Sequence, residues 1–278
     1  MPKTDFKIKT ADGLKLQGTE WMADSAPRAV VLLIHGLGEH CGRYSHVADA
    51  FNEAGFAMFA FDLRGHGKSE GKRGHAANYD VLMNDIFLCL KTIRERYPDL
   101  PIFLYGHSLG GNLVIHYALK KQPTIAGVIA TAPLFRLAYK PPFLQTLMLK
   151  IFKSLRINIS LPSGLDDTAL SRDVNVIRAY RNDPLTHNRI TPALAVNMIK
   201  FGEWNLEHSA ELSLPFLLMH GDADRITSSE ASREFAEKSG KNCTLKIWQD
   251  LFHEPHNEPE KRDVVAFAID WLHFQIMH

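Results

Sequence analysis

The sequence predicts an α/β protein built on a mostly parallel central sheet flanked by helices, with a helical cap insertion. Three observations lead there. Short runs rich in β-branched or aromatic residues alternate with helical stretches, the pattern of a parallel sheet covered on both faces. Nearly 80 residues in the middle of the chain, 134–212, break that alternation. The run at 102–105 also leads through the glycine-flanked turn GHSLG straight into a helical stretch.

The chain opens as a hairpin: FKIKT alternates, ADG supplies a turn and LKLQGTEW alternates again. Ala29–Ile34 (AVVLLI) and Phe56–Phe61 (FAMFAF) are continuous apolar runs of strand length, fit for strands buried on both faces. Residues 102–105, Gly127–Thr131, 215–219 and 244–248 repeat that signal. Helical stretches fill roughly 43–54, 79–97, Leu109–Lys121, 228–239 and 258–276. The fourth is signposted at both ends. Thr227 with Glu230 three residues on reads as a capping box, and Gly240 stands where a left-handed C-terminal cap is expected. From 134 to 212 prolines and helical patterns replace strands, over a length too great for a loop. The chain therefore divides into a core of residues 1–133 and 213–278 and a cap of residues 134–212, lying over the carboxyl edge of the sheet. Ligands of such sheets bind at that edge, so the loops after each strand are where chemistry is expected.

Composition narrows the function. Of 278 residues, 45% are apolar and 23% charged, with 32 Lys and Arg against 31 Asp and Glu. That balance, with no block of five basic residues, argues against nucleic acid as a partner. No apolar stretch near the N-terminus suits a signal peptide, and runs such as AVVLLI fall far short of a membrane span. Cys41, Cys89 and Cys243 are too few and too scattered for a disulfide framework and read as reduced thiols. The expected location is cytoplasmic, with any membrane contact peripheral. No signal bears on oligomeric state.

Gly106-His107-Ser108-Leu109-Gly110 follows a strand and opens a helix. A serine there is either an N-cap or a nucleophile held on a strained turn, and an N-cap does not explain glycines two residues away on both sides. A serine hydroxyl attacks only when a base removes its proton and an acid orients that base. On such a sheet the acid and base follow in order, each after a later strand. GDADRIT offers Asp222 or Asp224 as the acid, and the residues leave that choice open. QDLFHEPHNE offers His253 or His256 as the base; His253 lies mid-loop and is favoured by position, while His256 abuts the last helix. His116 and His273 fall inside helices and His220 ends a buried strand, which are structural readings. The loop LLIHGLGEH reads either as an ordinary tight turn at Gly36 and Gly38 or as part of an oxyanion site, whose donors would be the backbone N–H groups of Leu37 in that loop and of Leu109 after the serine. Fourteen histidines raise the question of a metal. There is no H-E-x-x-H, Pro255 spoils a helical pairing of His253 with His256, and no cysteine stands at zinc spacing. No metal and no other cofactor is expected.

Together these motifs resemble the α/β-hydrolase superfamily, and within it the monoacylglycerol lipase and lysophospholipase branch, over almost the whole chain. HGLGEHCGRY, FDLRGHGKSEGKRGH, GHSLGG, SGLDDTALSRD, NDPLTH, GDADRIT and FHEPHNEPE carry the likeness in order. The resemblance implies an α/β-hydrolase fold and a triad of Ser108, Asp224 and His253, with Leu37 and Leu109 as the oxyanion donors. It further implies hydrolysis of one fatty-acyl ester, with monoacylglycerol as the leading substrate and a lysophospholipid or general carboxylester as alternatives. In the loop WQDLFHE a glycine is commoner than Asp250 or Leu251, a departure that bears only on the loop's shape. A dehalogenase or epoxide hydrolase would need aspartate in place of Ser108. A peptidase could use the same triad, and a non-catalytic receptor would typically lack one of its members.

The cap carries one more signal. FLQTLMLKIFKSLRI, from Phe143 to Ile157, is apolar over more than one stripe and holds Lys150, Lys153 and Arg156 without an acid. It reads either as an interfacial helix that meets lipid or as a cap helix packed on the core with its bases solvated.

Overall fold

The alternating runs assemble into one eight-stranded sheet in the computed structural model, which describes residues 3–22 and 26–277. The strands are β1 (Lys3–Lys9), β2 (Lys15–Trp21), β3 (Ala29–Ile34), β4 (Phe56–Phe61), β5 (Ile102–His107) and β6 (Gly127–Thr131). After β7 (Leu161–Pro162) and β8 (Arg189–Ile190), which lie outside this sheet, come β9 (Phe216–Gly221) and β10 (Cys243–Trp248). The spatial order is β1-β2-β4-β3-β5-β6-β9-β10. Only the N-terminal hairpin and its junction with β4 are antiparallel; every later pairing is parallel. The expected mostly parallel α/β sheet is borne out.

The helices between these strands are α1 (Ser45–Glu53), α2 (Tyr79–Arg96), α3 (Leu109–Lys121) and α7 (Ser229–Ser239), and α8 (Lys261–Met277) follows the last strand. The strand β3 shows how its sequence serves both faces. Val30, Leu32 and Ile34 pack on one side with Leu82 and Ile86 of α2 and Leu113 of α3. Ala29, Val31 and Leu33 pack on the other with Val47 and Phe51 of α1 and Val264 and Leu272 of α8. A strand buried on both faces has no polar side to present, which is why AVVLLI reads as a continuous run. The chain passes from β3 to β4 on one side and returns to β5 on the other. That reversal opens a crevice at the carboxyl ends of β3 and β5, where open α/β sheets take their ligands.

Residues 134–212 hold α4 (Phe143–Ser154), α5 (Val174–Asn182) and α6 (Pro192–Glu207), together with the two-residue antiparallel pair β7–β8, a small strand element that the sequence did not announce. The helix α6 packs into the body: Leu194 and Leu206 join the α2–α3 side of the core. A Cβ on Gly202 would stand 2.1 Å from the carbonyl oxygen of Phe135. The helix α4 buries none of its residues and rests on α6, with Lys153 Nζ donating to Asn197 Oδ1 at 2.6 Å.

Several boundaries differ from expectation. Residues 41–44 form a 3₁₀ turn ahead of α1, and Pro255–Asn257 form another ahead of α8, which starts at Lys261 rather than 258. The expected capping box of Thr227 and Glu230 does not form. Ser228 caps α7, its Oγ accepting from Ala231 N at 3.2 Å, while Thr227 turns inward towards Asp224. Gly240 has φ 61° but ψ −140°, a glycine conformation outside the left-handed helical region.

Candidate active site

Ser108 joins β5 to α3 with φ 52° and ψ −112°. A non-glycine residue held there stores roughly 1–3 kcal/mol of strain, which the surroundings must impose. They do so by close packing. A Cβ on Gly106 would lie 2.3 Å from the carbonyl oxygen of Gly110, and one on Gly110 would lie 2.0 Å from that of Ile34. Glycine at both offsets is therefore a backbone requirement, and it lets α3 start hard against the end of β3. The side chain of Ser108 makes no capping bond to α3, so the N-cap alternative fails. Its Oγ lies instead 2.9 Å from His253 Nε2.

His253 is buried on the loop after β10, and its Nδ1 lies 2.7 Å from Asp224 Oδ2 on the loop after β9. The open choices separate here. Asp222 is exposed and accepts from the backbone N–H of Asp250 at 2.7 Å. Asp250 itself adopts φ 61°, which explains why glycine would be at ease in that loop. His256 is fully buried and stacked on Tyr44, with ring centroids 4.7 Å apart, and does not reach Ser108. Asp224 is held from five directions. Its Oδ1 accepts from the N–H groups of Ile226 and Thr227, and its Oδ2 faces Thr227 Oγ1 at 2.8 Å, His220 Nε2 at 3.0 Å and His253. Burial works against its charge, but His253 and His220 outweigh that and hold its carboxyl well below the usual carboxylate range. Burial likewise works against an imidazolium at His253, yet the charge of Asp224 and its hydrogen bond prevail and raise the His253 pKa.

The loop after β3 lies beside the serine: a Cβ on Gly36 would stand 3.3 Å from Ser108 Cβ. Leu37 follows on that loop. Leu109 is the first residue of α3, so its N–H has no acceptor within the helix. From the segment 134–212, His187 seats on the same loop, its N–H donating to Gly38 O at 2.9 Å. Leu37, Ser108 and His253 border a cavity of about 20 Å³, about the room of one water. Glu39, Arg43, Tyr180 and Glu254 also line it, together with Leu165 and Leu170. Arg43 binds Glu39 Oε2 at 2.6 Å and both oxygens of Glu254 at 2.7 Å, tying the β3 loop to the residue after His253.

Glu39, Arg43, Glu254, Thr227 and His220 are the site's neighbours that residue-level reading missed. Glu39 and Arg43 stand four residues apart within HGLGEHCGRY, and Glu254 directly follows the candidate base. Charge at positions so flanked was the available signal. Among the described residues no group of three or more His, Cys, Asp or Glu is placed to hold a metal.

The profile of a hydrolase family described as serine aminopeptidase, S33, matches residues 25–260. The chain is 37% identical over 275 residues to an uncharacterized abhydrolase domain-containing protein of Dictyostelium discoideum; the match covers 98% of the chain and only 29% of that longer protein. It is 33% identical to a monoacylglycerol lipase of Mycolicibacterium smegmatis, covering 97% of each. Among solved structures, the monoacylglycerol lipase of Paleococcus ferrophilus superposes with a TM-score of 0.83 at 33% identity, over 99% of this chain and 100% of that one.

Proposed function

The chain belongs to this α/β-hydrolase family and is a lipolytic carboxylic ester hydrolase, and from that premise we propose that it cleaves the single fatty-acyl ester of monoacylglycerols through Ser108, His253 and Asp224. The observation that carries the reading is the unbroken line from Ser108 Oγ through His253 to Asp224, at 2.9 and 2.7 Å, on a serine held in a strained turn.

Ser108 Oγ attacks the ester carbonyl carbon while His253 Nε2 takes its proton. Asp224 keeps the imidazole in the tautomer that leaves Nε2 free and stabilises the cation that forms. The N–H groups of Leu37 and Leu109 receive the developing oxyanion. Collapse expels glycerol, protonated from His253, and leaves the acyl group on Ser108. Water, deprotonated by His253, then adds to the acyl carbonyl, and collapse frees the fatty acid and restores the Ser108 hydroxyl. No cofactor enters the reaction.

One observation supports a monoester of a polyol. The relatives named for monoacylglycerol hydrolysis match along nearly their whole length. The family's description as a serine aminopeptidase raises an amide substrate with a free amino end. That end would need an unpaired carboxylate, and Glu39 and Glu254 are both already bound by Arg43. The cap of residues 134–212 would cover the acyl chain, and the apolar helix α4 would bring the enzyme to a lipid surface.

The test is kcat/KM on a long-chain monoacylglycerol beside a matched lysophospholipid, a triacylglycerol and an aminoacyl amide, for wild type and Ser108→Ala. The monoester is expected to lead, and Ser108→Ala to lose on the order of 10⁵–10⁶ in turnover. Full activity in the purified variant would sink the assignment of the nucleophile; a lead for the lysophospholipid or the amide would sink that of the substrate.

A further inference from the structure

One buried titratable group at the site has no part in the steps above. His220, the penultimate residue of β9, is wholly buried, as is the side chain of Asp224. Its Nε2 lies 3.0 Å from Asp224 Oδ2 and its Nδ1 lies 2.7 Å from Ser232 Oγ on α7. These contacts select one tautomer. An ionised carboxylate can only accept, so Nε2 carries the proton, and Nδ1 then accepts from the Ser232 hydroxyl. The carboxylate therefore stands between two imidazoles, with His253 on one side and His220 on the other. Burying an imidazole where an apolar side chain could fill the space is costly unless its polar atoms are used, and both of them are.

We infer that His220, locked by Ser232, is a positioning residue for hydrolysis, a second imidazole arm that orients Asp224 and tempers its pull on the proton of His253. This rests on the triad proposed above. The Nε2–H of His220 draws electron density from the same oxygen that His253 uses. Without that donor, Oδ2 binds the His253 imidazolium more strongly, and the base gives up its proton only at higher pH. The carboxylate also loses one of the contacts that fix its plane, so the imidazole is aimed less well at Ser108. The other groups that His253 feels are Glu254 beside it, Glu39 on the β3 loop and His107 at the end of β5. Arg43 lies between the two glutamates. None of these groups bonds to His220, whose partners are Asp224, Ser232 and Thr227.

The experiment follows kcat/KM against pH for wild type, His220→Leu, His220→Gln and Ser232→Ala, with Ser108→Ala alongside and thermal melting to verify folding. In His220→Leu the ascending limb is expected to move up by about half a unit, and kcat to fall about tenfold with KM little changed. Glutamine can offer an N–H to Oδ2 and a carbonyl to Ser232, so His220→Gln is expected to return the limb towards wild type. Ser232→Ala frees the tautomer and is expected to shift the limb in the same direction by less. A folded His220→Leu with the wild-type limb and kcat would overturn the proposal. Should that variant not fold, a wild-type limb in Ser232→Ala would overturn it instead. An active Ser108→Ala would strike at the triad itself, which separates the two failures.

Discussion

A buried imidazole sheds its proton readily unless a charge holds it there. At His253 burial favours the neutral form, while Asp224 at 2.7 Å favours the cation and wins. As the proposed base it must be neutral to accept the Ser108 proton. Activity should therefore rise with pH through a limb that lies above the ordinary imidazole value of 6.5, read as the ascending arm of kcat/KM. The contribution of His253 to stability runs the other way. It is complete below the unfolded-state pKa and is lost as pH rises through the higher folded value. An ascending limb at or below 6.5 would show that Asp224 does not govern the base.

At the level of elements, α4 stands apart. It opens with Phe143 at 80% exposure and Leu144 at 66%, and continues the face with Leu147, Met148 and Ile151. Exposed apolar residues in such density are unusual on a protein surface and mark a contact. Lys150 and Arg156 flank them with cations suited to anionic headgroups. Vesicles containing anionic phospholipid should therefore retain the wild-type protein in sedimentation and release Leu144→Asp/Leu147→Asp. Equal retention of both would end the case for α4 as the membrane contact. The sequence left this helix between two readings because its apolar residues cover more than one stripe. In the structure α6 packs on the body through Leu194 and Leu206, and α4 lies on α6 with none of its residues buried.

Over the whole molecule, the site is a meeting of loops that the strand order brings to one edge. Arg43, in the turn before α1, spans to Glu254 across 211 residues of chain. Its partners Glu39 and Glu254 keep only 3% and 2% of their side chains exposed. Truncating it as Arg43→Ala leaves two carboxylates buried without their cation, a loss of about 3–5 kcal/mol. Burial pushes the Glu39 carboxyl up, and the variant lacks the Arg43 cation that opposes it. The loss should therefore be larger near pH 8 and shrink towards pH 5 as Glu39 takes up its proton, which melting temperatures at the two pH values would measure. A melting temperature equal to that of wild type at pH 8 would mean that the loops are held together by other contacts.

What the residues themselves determined is what neighbours along the chain must satisfy. AVVLLI and FAMFAF have no polar face and can only be inner strands. Gly106 and Gly110 flank Ser108 because the turn leaves no room for a Cβ, and that demand is written within five consecutive residues. The resemblance of the motifs extended this to Asp224 and His253. The residues alone could not separate Asp224 from Asp222, since two acids in one turn look alike until one faces inward and the other bonds Asp250. Nor could they show that Thr227 turns in and leaves Ser228 to cap α7, or that His220 reaches the carboxylate. The tertiary structure decided these points, because each depends on which side of a short loop faces the crevice. That orientation is set by strands β3, β5, β6, β9 and β10 lying side by side, and a contact such as Ser108 with His253, 145 residues apart, has no local trace for periodicity or capping to reveal.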